Sequence, residues 1–205
     1  MKKFIVGNCM NYIKNNVEFS TSKLQEIEYG LISIYLTFSK FIVISIIALL
    51  LGIFKEMLIF TLFFNILRMP AFGLHATKSW ICLISSTIIF ILIPTMCIYT
   101  NISFYLKSII CSIGIILMYK NAPADTYKRP IVNKKRREIY KTISTLLAIA
   151  FSFIAILIKS QFISNCLVFS IILENCLISP FVYKLFKLPY NNYITYLEKH
   201  PDFAH

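Results

Sequence analysis

The chain has 205 residues, of which 58% are hydrophobic and 15% are charged, and its mean hydropathy is +0.72. A soluble domain of this length leaves roughly 30% of its chain surface in water, which is too much for such an apolar composition. The composition therefore excludes an ordinary soluble enzyme, a disordered protein and a nucleic-acid-binding domain, despite a net charge of +12. It predicts a membrane protein.

The first segment, residues 1–29, lacks the compact apolar region and the small-residue cleavage site of a signal peptide. Its apolar residues instead recur at helical spacing, as at Met10, Ile13 and Val17. This periodicity predicts an amphipathic helix that lies on the inner leaflet.

Five later segments are long and apolar enough to span a bilayer, which takes about 20 residues. The fourth of them is short, but lysines at its two ends can reach the membrane surface. The first contains Lys40 and the second contains Pro94, where a kink is expected. The five predicted spans are residues 31–53, 79–99, 102–119, 143–158 and 162–180.

A sixth segment, residues 55–71, has an uninterrupted apolar run of only 11 residues and could be re-entrant. If it spans, 17 of the 21 basic residues fall on one side of the membrane, as the positive-inside rule requires. The sequence therefore predicts an all-α, polytopic integral membrane protein with about six transmembrane helices and both termini in the cytoplasm. We expect one domain, with an interfacial segment (1–29), a six-helix core (30–180) and a cytoplasmic tail (181–205).

Several membrane enzyme classes lack their motifs here. The chain has three histidines and no HExxH, two aspartates outside the apolar segments, and no GxG or GxSxG. Its six cysteines form no CxxC, so neither a disulfide framework nor a zinc site is indicated. We expect no metal and no cofactor, and cysteine or serine as the remaining candidate nucleophiles.

The segment from Arg68 to Cys82 carries the main candidate site. Pro70 and Gly73 predict a break between two helices, and Cys82 then lies in the first turns of the second helix. The positive end of that helix and a nearby imidazole from His75 would both favour a thiolate nucleophile. Seven helical residues span about 10.5 Å, so the pair can meet only if the loop folds back. An interfacial histidine and a packing cysteine remain the alternative.

The sequence resembles the accessory gene regulator B (AgrB) family over nearly its whole length. The resemblance rests on Gly73-Leu74-His75-Ala76 with Cys82 seven residues after the histidine, and on the loop 121–126 followed by Pro130-Ile131. Glu174 followed by Pro180 also fits the pattern. The chain departs from it at Phe72, where relatives often have a second glycine.

The resemblance implies a cysteine endopeptidase of bacterial quorum sensing. Its members remove the C-terminal part of a short autoinducer propeptide and help to close the rest into a lactone or thiolactone. Carried over, Cys82 is the nucleophile and His75 the general base, with the active site toward the cytoplasm. The resemblance also leads us to expect a homodimer.

Other residues carry weaker expectations. Asp125 could orient His75, or could simply form a turn between two prolines. Glu174 and Lys107 lie within apolar spans and could contact substrate or form structural pairs. Arg68 could bind a substrate carboxylate or reach lipid phosphate, and Gly73 shapes the loop. The basic loop 128–137 favours anionic lipid and an acidic propeptide rather than nucleic acid.

Two rival functions stay open at this point. A non-catalytic membrane transporter or scaffold would explain the spans and the intramembrane charges, and it predicts that loss of Cys82 or His75 is harmless. A lipid-modifying transferase would need an acidic cluster for phosphate or metal, whereas the large loop offers only Asp125 and Glu138.

Overall fold

The computed structural model describes residues 2–17, 19–74, 79–126 and 130–199. These ranges form helices and no strand, which confirms the all-α prediction. In chain order the helices are α1 (Lys2–Asn16), α2 (Thr21–Leu50), α3 (Phe54–Ala71), α4 (Ser79–Tyr99), α5 (Phe104–Asn121), α6 (Lys134–Leu157), α7 (Gln161–Ile178), α8 (Pro180–Leu185) and α9 (Asn192–Lys199).

Helix bounds follow the predicted spans closely where the apolar run fills the helix. Helix α4 coincides with 79–99, and α3, α5 and α7 lie within two residues of their predicted limits. Helices α2 and α6 start about ten residues earlier than predicted, because polar residues with good helix propensity extend the apolar part. At the start of α6, the side chain of Asn133 accepts a hydrogen bond from the amide of Arg136 and caps the helix.

Four helices of the described chain are long and apolar enough to cross a membrane: α2, α4, α6 and α7. Helix α3 is continuous from Phe54 to Ala71, but it carries Lys55, Glu56 and Arg68. Helix α5 carries Lys107 and Lys120. The six-span count therefore stays a prediction, whereas the membrane character is clear.

The predicted interfacial segment 1–29 is divided between two helices. Helix α1 buries Val6 and Met10 and packs against α2. Helix α2 then runs for 30 residues, or about 45 Å, through the boundary placed at residue 30. A hydrocarbon core is about 30 Å thick, so roughly ten residues of α2 extend beyond it.

Helix α7 is the centre of the bundle. In its apolar window 56% of the residues are buried, against 11% in α2 and α4, so α2 and α4 present most of their surface outward. Helix α7 packs against α3, α4, α5 and α6. One supporting cluster joins Phe60, Phe64 and Phe90 in tilted and edge-to-face contacts between α3 and α4.

The helices alternate in direction, which gives the bundle two ends. We call the site end the one that holds the end of α3, the start of α4, the α5–α6 loop, the end of α7, and α8 and α9. The opposite, far end is tied by polar contacts: Lys107 Nζ donates to Ser164 Oγ at 2.7 Å, and Asn165 Nδ2 donates to the carbonyl of Cys97 at 3.0 Å.

Candidate active site

Cys82 is the fourth residue of α4 and lies at the site end, as the sequence predicts. Its side chain is partly exposed, unlike the buried Cys97, Cys111 and Cys166. The ammonium of Lys40 donates a hydrogen bond to the Cys82 sulfur at 3.2 Å, and Ser86 Oγ lies 4.0 Å from the same atom. A partly exposed sulfur beside a cation is the environment in which reactive cysteines are found.

The partnership with Lys40 is a site feature that sequence reasoning missed. The two residues are 42 positions apart and on different helices. The one available signal was a single charged residue within an otherwise apolar span, since such residues are costly and usually have a polar partner. The sequence does not show how α2 is rotated about its axis, and therefore does not show which side chain Lys40 contacts.

His75 lies outside the described residues, as do Thr77 and Lys78. Its pairing with Cys82 therefore stays a prediction. The residue before it is firmly held: the Leu74 amide donates to the carbonyl of Leu177 at 2.9 Å, and the Leu74 carbonyl accepts from Arg68 Nη2 at 2.6 Å.

The predicted chain break occurs at Phe72 and Gly73, directly after the end of α3 and two residues beyond Pro70. Both residues have positive φ, 62° at Phe72 and 98° at Gly73. The Gly73 amide donates to the carbonyl of Ala124 at 2.8 Å, which joins this turn to the α5–α6 loop. Phe72 adopts a conformation that favours glycine, and its ring packs edge-on against Tyr140 at 5.0 Å. A glycine at this position would adopt the same φ without that strain.

Arg68 and Glu174 form an ion pair at the site end. Arg68 Nη1 lies 3.5 Å from Glu174 Oε2, and the Glu174 side chain is fully buried. A buried carboxylate without a cation would be strongly unfavourable, so Arg68 stabilises it. The carboxylate that Arg68 meets belongs to the protein itself, and the guanidinium points inward rather than to lipid.

Asp125 belongs to the α5–α6 loop, and its side chain is buried against the first residues of α9. Its Oδ1 accepts from the amide of Asn192 at 2.9 Å and its Oδ2 from the amide of Tyr193 at 2.8 Å, while Arg137 Nη1 lies 3.8 Å away. A carboxylate there satisfies free amides and the positive helix end. Tyr183 donates to the Asp125 carbonyl at 3.1 Å, and burial raises the pKa of Tyr183 so that it stays a donor.

Within the segment expected as a tail, Tyr183, Asn192 and Tyr193 contact Asp125 of the α5–α6 loop. Asp125 is engaged by α9, which favours the structural alternative over a role toward His75. Lys107 lies at the far end, bound to Ser164, and so is separated from Cys82 by most of the bundle. The two intramembrane charges, Lys107 and Glu174, thus each have a polar partner within the protein.

A cavity of about 680 Å³ opens beside the α5–α6 loop. Among the described residues, its wall has five cationic side chains and one acidic side chain, Glu138, and Cys82 is not part of it. The charged and aromatic lining residues are Lys120, Lys134, Lys135, Arg137, Glu138, Lys141, Tyr190 and Tyr193. In the part of the chain that the structure describes, no group of three His, Cys, Asp or Glu residues could hold a metal ion.

Fold and site together define an all-α membrane protein with a lysine-paired cysteine at one end of its bundle. Residues 7–179 match the model of the family accessory gene regulator B (AgrB), and the chain belongs to that family.

Individual relatives agree with this assignment. An AgrB-like protein of Clostridium acetobutylicum is 28% identical over 88% of this chain and 87% of its own length. An AgrB-like protein of Listeria monocytogenes is 31% identical over 83% of this chain and 84% of its own. The accessory gene regulator protein B of Staphylococcus aureus is 33% identical over 75% and 86%. No solved structure matches the chain.

Proposed function

We propose that this protein is a membrane cysteine endopeptidase that cleaves an autoinducer propeptide and promotes its cyclisation. Membership in the AgrB family supports involvement in autoinducer processing for quorum sensing. The observation that supports the cysteine chemistry is the partly exposed Cys82 sulfur with an ammonium 3.2 Å away. An ammonium at this distance would stabilise negative charge on the sulfur as the thiol loses its proton.

The reaction uses Cys82 and His75 in two steps. The imidazole takes the thiol proton, the sulfur attacks the scissile carbonyl carbon, and the C–N bond breaks as the amine receives that proton. A Cys or Ser side chain of the bound peptide then attacks the resulting thioester. Its proton passes to His75, the ring closes, and the Cys82 thiolate leaves. Exclusion of water favours ring closure over hydrolysis.

The site end is proposed to face the cytoplasm of a bacterial plasma membrane. Basic residues concentrate there, on the α5–α6 loop and the start of α6, whereas the far end has few. Because basic residues are retained on the cytoplasmic side, this asymmetry supports a cytoplasmic site and cytoplasmic termini.

The basic cavity is proposed to draw in the acidic part of the propeptide, while the surrounding surface binds anionic lipid. Lys134 and Lys135 line the cavity and are exposed, so their charge is available to a partner. Arg137 lines it too, but stacks on the Tyr193 ring at 3.4 Å and pairs with Asp125. A role in attraction therefore rests on the exposed lysines of the cavity, which are the adjacent Lys134 and Lys135 together with Lys120.

The test of the reaction compares Cys82→Ala with Cys9→Ala, which removes an exposed cysteine on α1. Each protein is reconstituted with the propeptide encoded at the same locus, and products are followed by mass spectrometry. We expect cleavage to fall to background in Cys82→Ala and to stay normal in Cys9→Ala. Normal cleavage by folded Cys82→Ala would refute the mechanism.

The test of the cavity neutralises Lys134 and Lys135 together as glutamines. The control is Arg136→Gln, because Arg136 is exposed and adjacent but does not line the cavity. We expect the double variant alone to raise KM at low salt, with kcat preserved. Equal effects of the two changes would mean that general surface charge, not the cavity, attracts the peptide.

A further inference from the structure

Lys40 is the one charged residue between Leu31 and Leu50 of α2. An ammonium at this depth is costly unless it meets a polar partner. The two ion pairs of the described chain are Arg68–Glu174 and Arg137–Asp125, so Lys40 has no carboxylate partner there. Its ammonium instead donates a hydrogen bond to the sulfur of Cys82.

A neutral thiol is a poor match for this cation. Thiol sulfur is a weak hydrogen-bond acceptor. A hydrogen bond to a neutral Cys82 thiol therefore offsets little of the hydration free energy that the Lys40 ammonium loses on partial burial. A thiolate instead forms a charge-assisted hydrogen bond, which is shorter and stronger. The 3.2 Å contact places the ammonium where it would stabilise negative charge on the sulfur once His75 has taken the thiol proton.

We propose that Lys40 is a catalytic residue whose ammonium holds the Cys82 sulfur as the attacking thiolate. This rests on the proposed function, and it adds a third group to the cysteine and histidine. Lys40 keeps its three protons throughout, since His75 receives the thiol proton. When the cyclising side chain displaces the sulfur, the departing thiolate returns to the same ammonium. Lys40 thus assists both formation of the thioester and closure of the ring.

The position of α2 suits this role. Helices α2 and α4 pack directly against each other, and both side chains are only partly buried. The sulfur therefore stays open to a peptide on one side while the ammonium occupies another. A general base close to the sulfur would then only accept the thiol proton, while the Lys40 ammonium stabilises the negative charge on the sulfur.

The first measurement follows the sulfur itself and needs no peptidase activity. Iodoacetamide alkylation of Cys82 is timed at pH 7 in a background with Cys9→Ser and Cys176→Ser, which removes the other exposed cysteines. We expect Lys40→Gln to slow alkylation several-fold, because the ammonium stabilises the negative charge on the attacking sulfur. Lys40→Arg should restore it, and Lys55→Gln, an exposed lysine of α3, should leave it unchanged.

The second measurement is propeptide cleavage by the same variants. We expect Lys40→Gln to lower kcat roughly 100-fold with little change in KM, as for removal of one electrostatic donor. Lys40→Arg should recover most of the loss. Glutamine keeps a polar group of similar length, so a folded Lys40→Gln protein with normal alkylation and normal kcat overturns the proposal.

The two hypotheses fail differently. If Cys82→Ala still cleaves the propeptide, the proposed function is wrong, yet slowed alkylation in Lys40→Gln would still show that Lys40 activates the sulfur. If Cys82→Ala is inactive but alkylation in Lys40→Gln is normal, the peptidase stands and the role of Lys40 is wrong.

Discussion

Gly73→Ala tests the packing that holds the chain just before His75. A Cβ atom on Gly73 would lie 2.7 Å from Arg68 Nη1 and 2.9 Å from the carbonyl oxygen of Leu177. Both distances are shorter than ordinary contacts, and the second involves backbone that cannot rotate away. Arg68 must therefore move, and its movement draws it away from Glu174.

The expected cost has two parts. Alanine at a φ of 98° is disfavoured by about 1–2 kcal/mol. Opening an ion pair around a buried carboxylate costs about 3–5 kcal/mol when the partner is lost completely. Because Arg68 is displaced rather than removed, we expect the free energy of unfolding to fall by about 4 kcal/mol.

Gly52→Ala is the matched control. Gly52 also has a positive φ, 70°, but a Cβ there meets nothing within 4 Å. It should show only the backbone cost of about 1–2 kcal/mol. Reversible unfolding in mixed micelles, followed by circular dichroism, gives both free energies. If the two variants agree within about 0.5 kcal/mol, the clash with Arg68 and Leu177 is not what makes glycine necessary.

The remaining predictions concern the same end of the bundle. Arg68→Met should lower the free energy of unfolding by about 3–5 kcal/mol, and Glu174→Met added to it should recover most of that loss; unfolding titrations decide, and a double variant as unstable as the single would contradict the pairing. Asp125→Asn should weaken the cap of α9 by about 1–2 kcal/mol and speed limited proteolysis near the C-terminus; an unchanged digestion rate would count against it. Phe72→Gly should be about 1 kcal/mol more stable than Phe72→Ala, because both lose the Tyr140 contact but only glycine accepts the positive φ; equal unfolding free energies would argue against strain.

The helices of the bundle were accessible from sequence because apolar length alone defines them. Residues 79–99 show this best, since the apolar run and α4 have the same limits. The starts of α2 and α6 were missed because charged residues with good helix propensity continue a helix without adding hydrophobicity. Hydropathy reports where the chain is apolar, and a helix can extend well beyond that part.

The contacts of the candidate site were much less accessible. The position of Cys82 near the start of a helix followed from Pro70, Gly73 and the apolar run after them. Its contact with Lys40 depends on how two helices rotate about their axes, which a single sequence does not reveal. The hydrogen bonds of Asp125 could not be predicted either, because the amides that donate to its carboxylate lie 67 and 68 residues further along the chain.

The conformation of the α5–α6 loop at the site end depends on contacts with α9, near the C-terminus. Helix α9 holds Asp125, the neighbouring Ala124 holds Gly73, and Gly73 lies two residues before His75. These residues form a chain of contacts from α9 to the segment that precedes His75. A protein truncated after α8 would keep every helix long enough to span the membrane, yet would leave the Asp125 carboxylate without its two amide donors. Tags and deletions at this end therefore alter the contacts that position the candidate site.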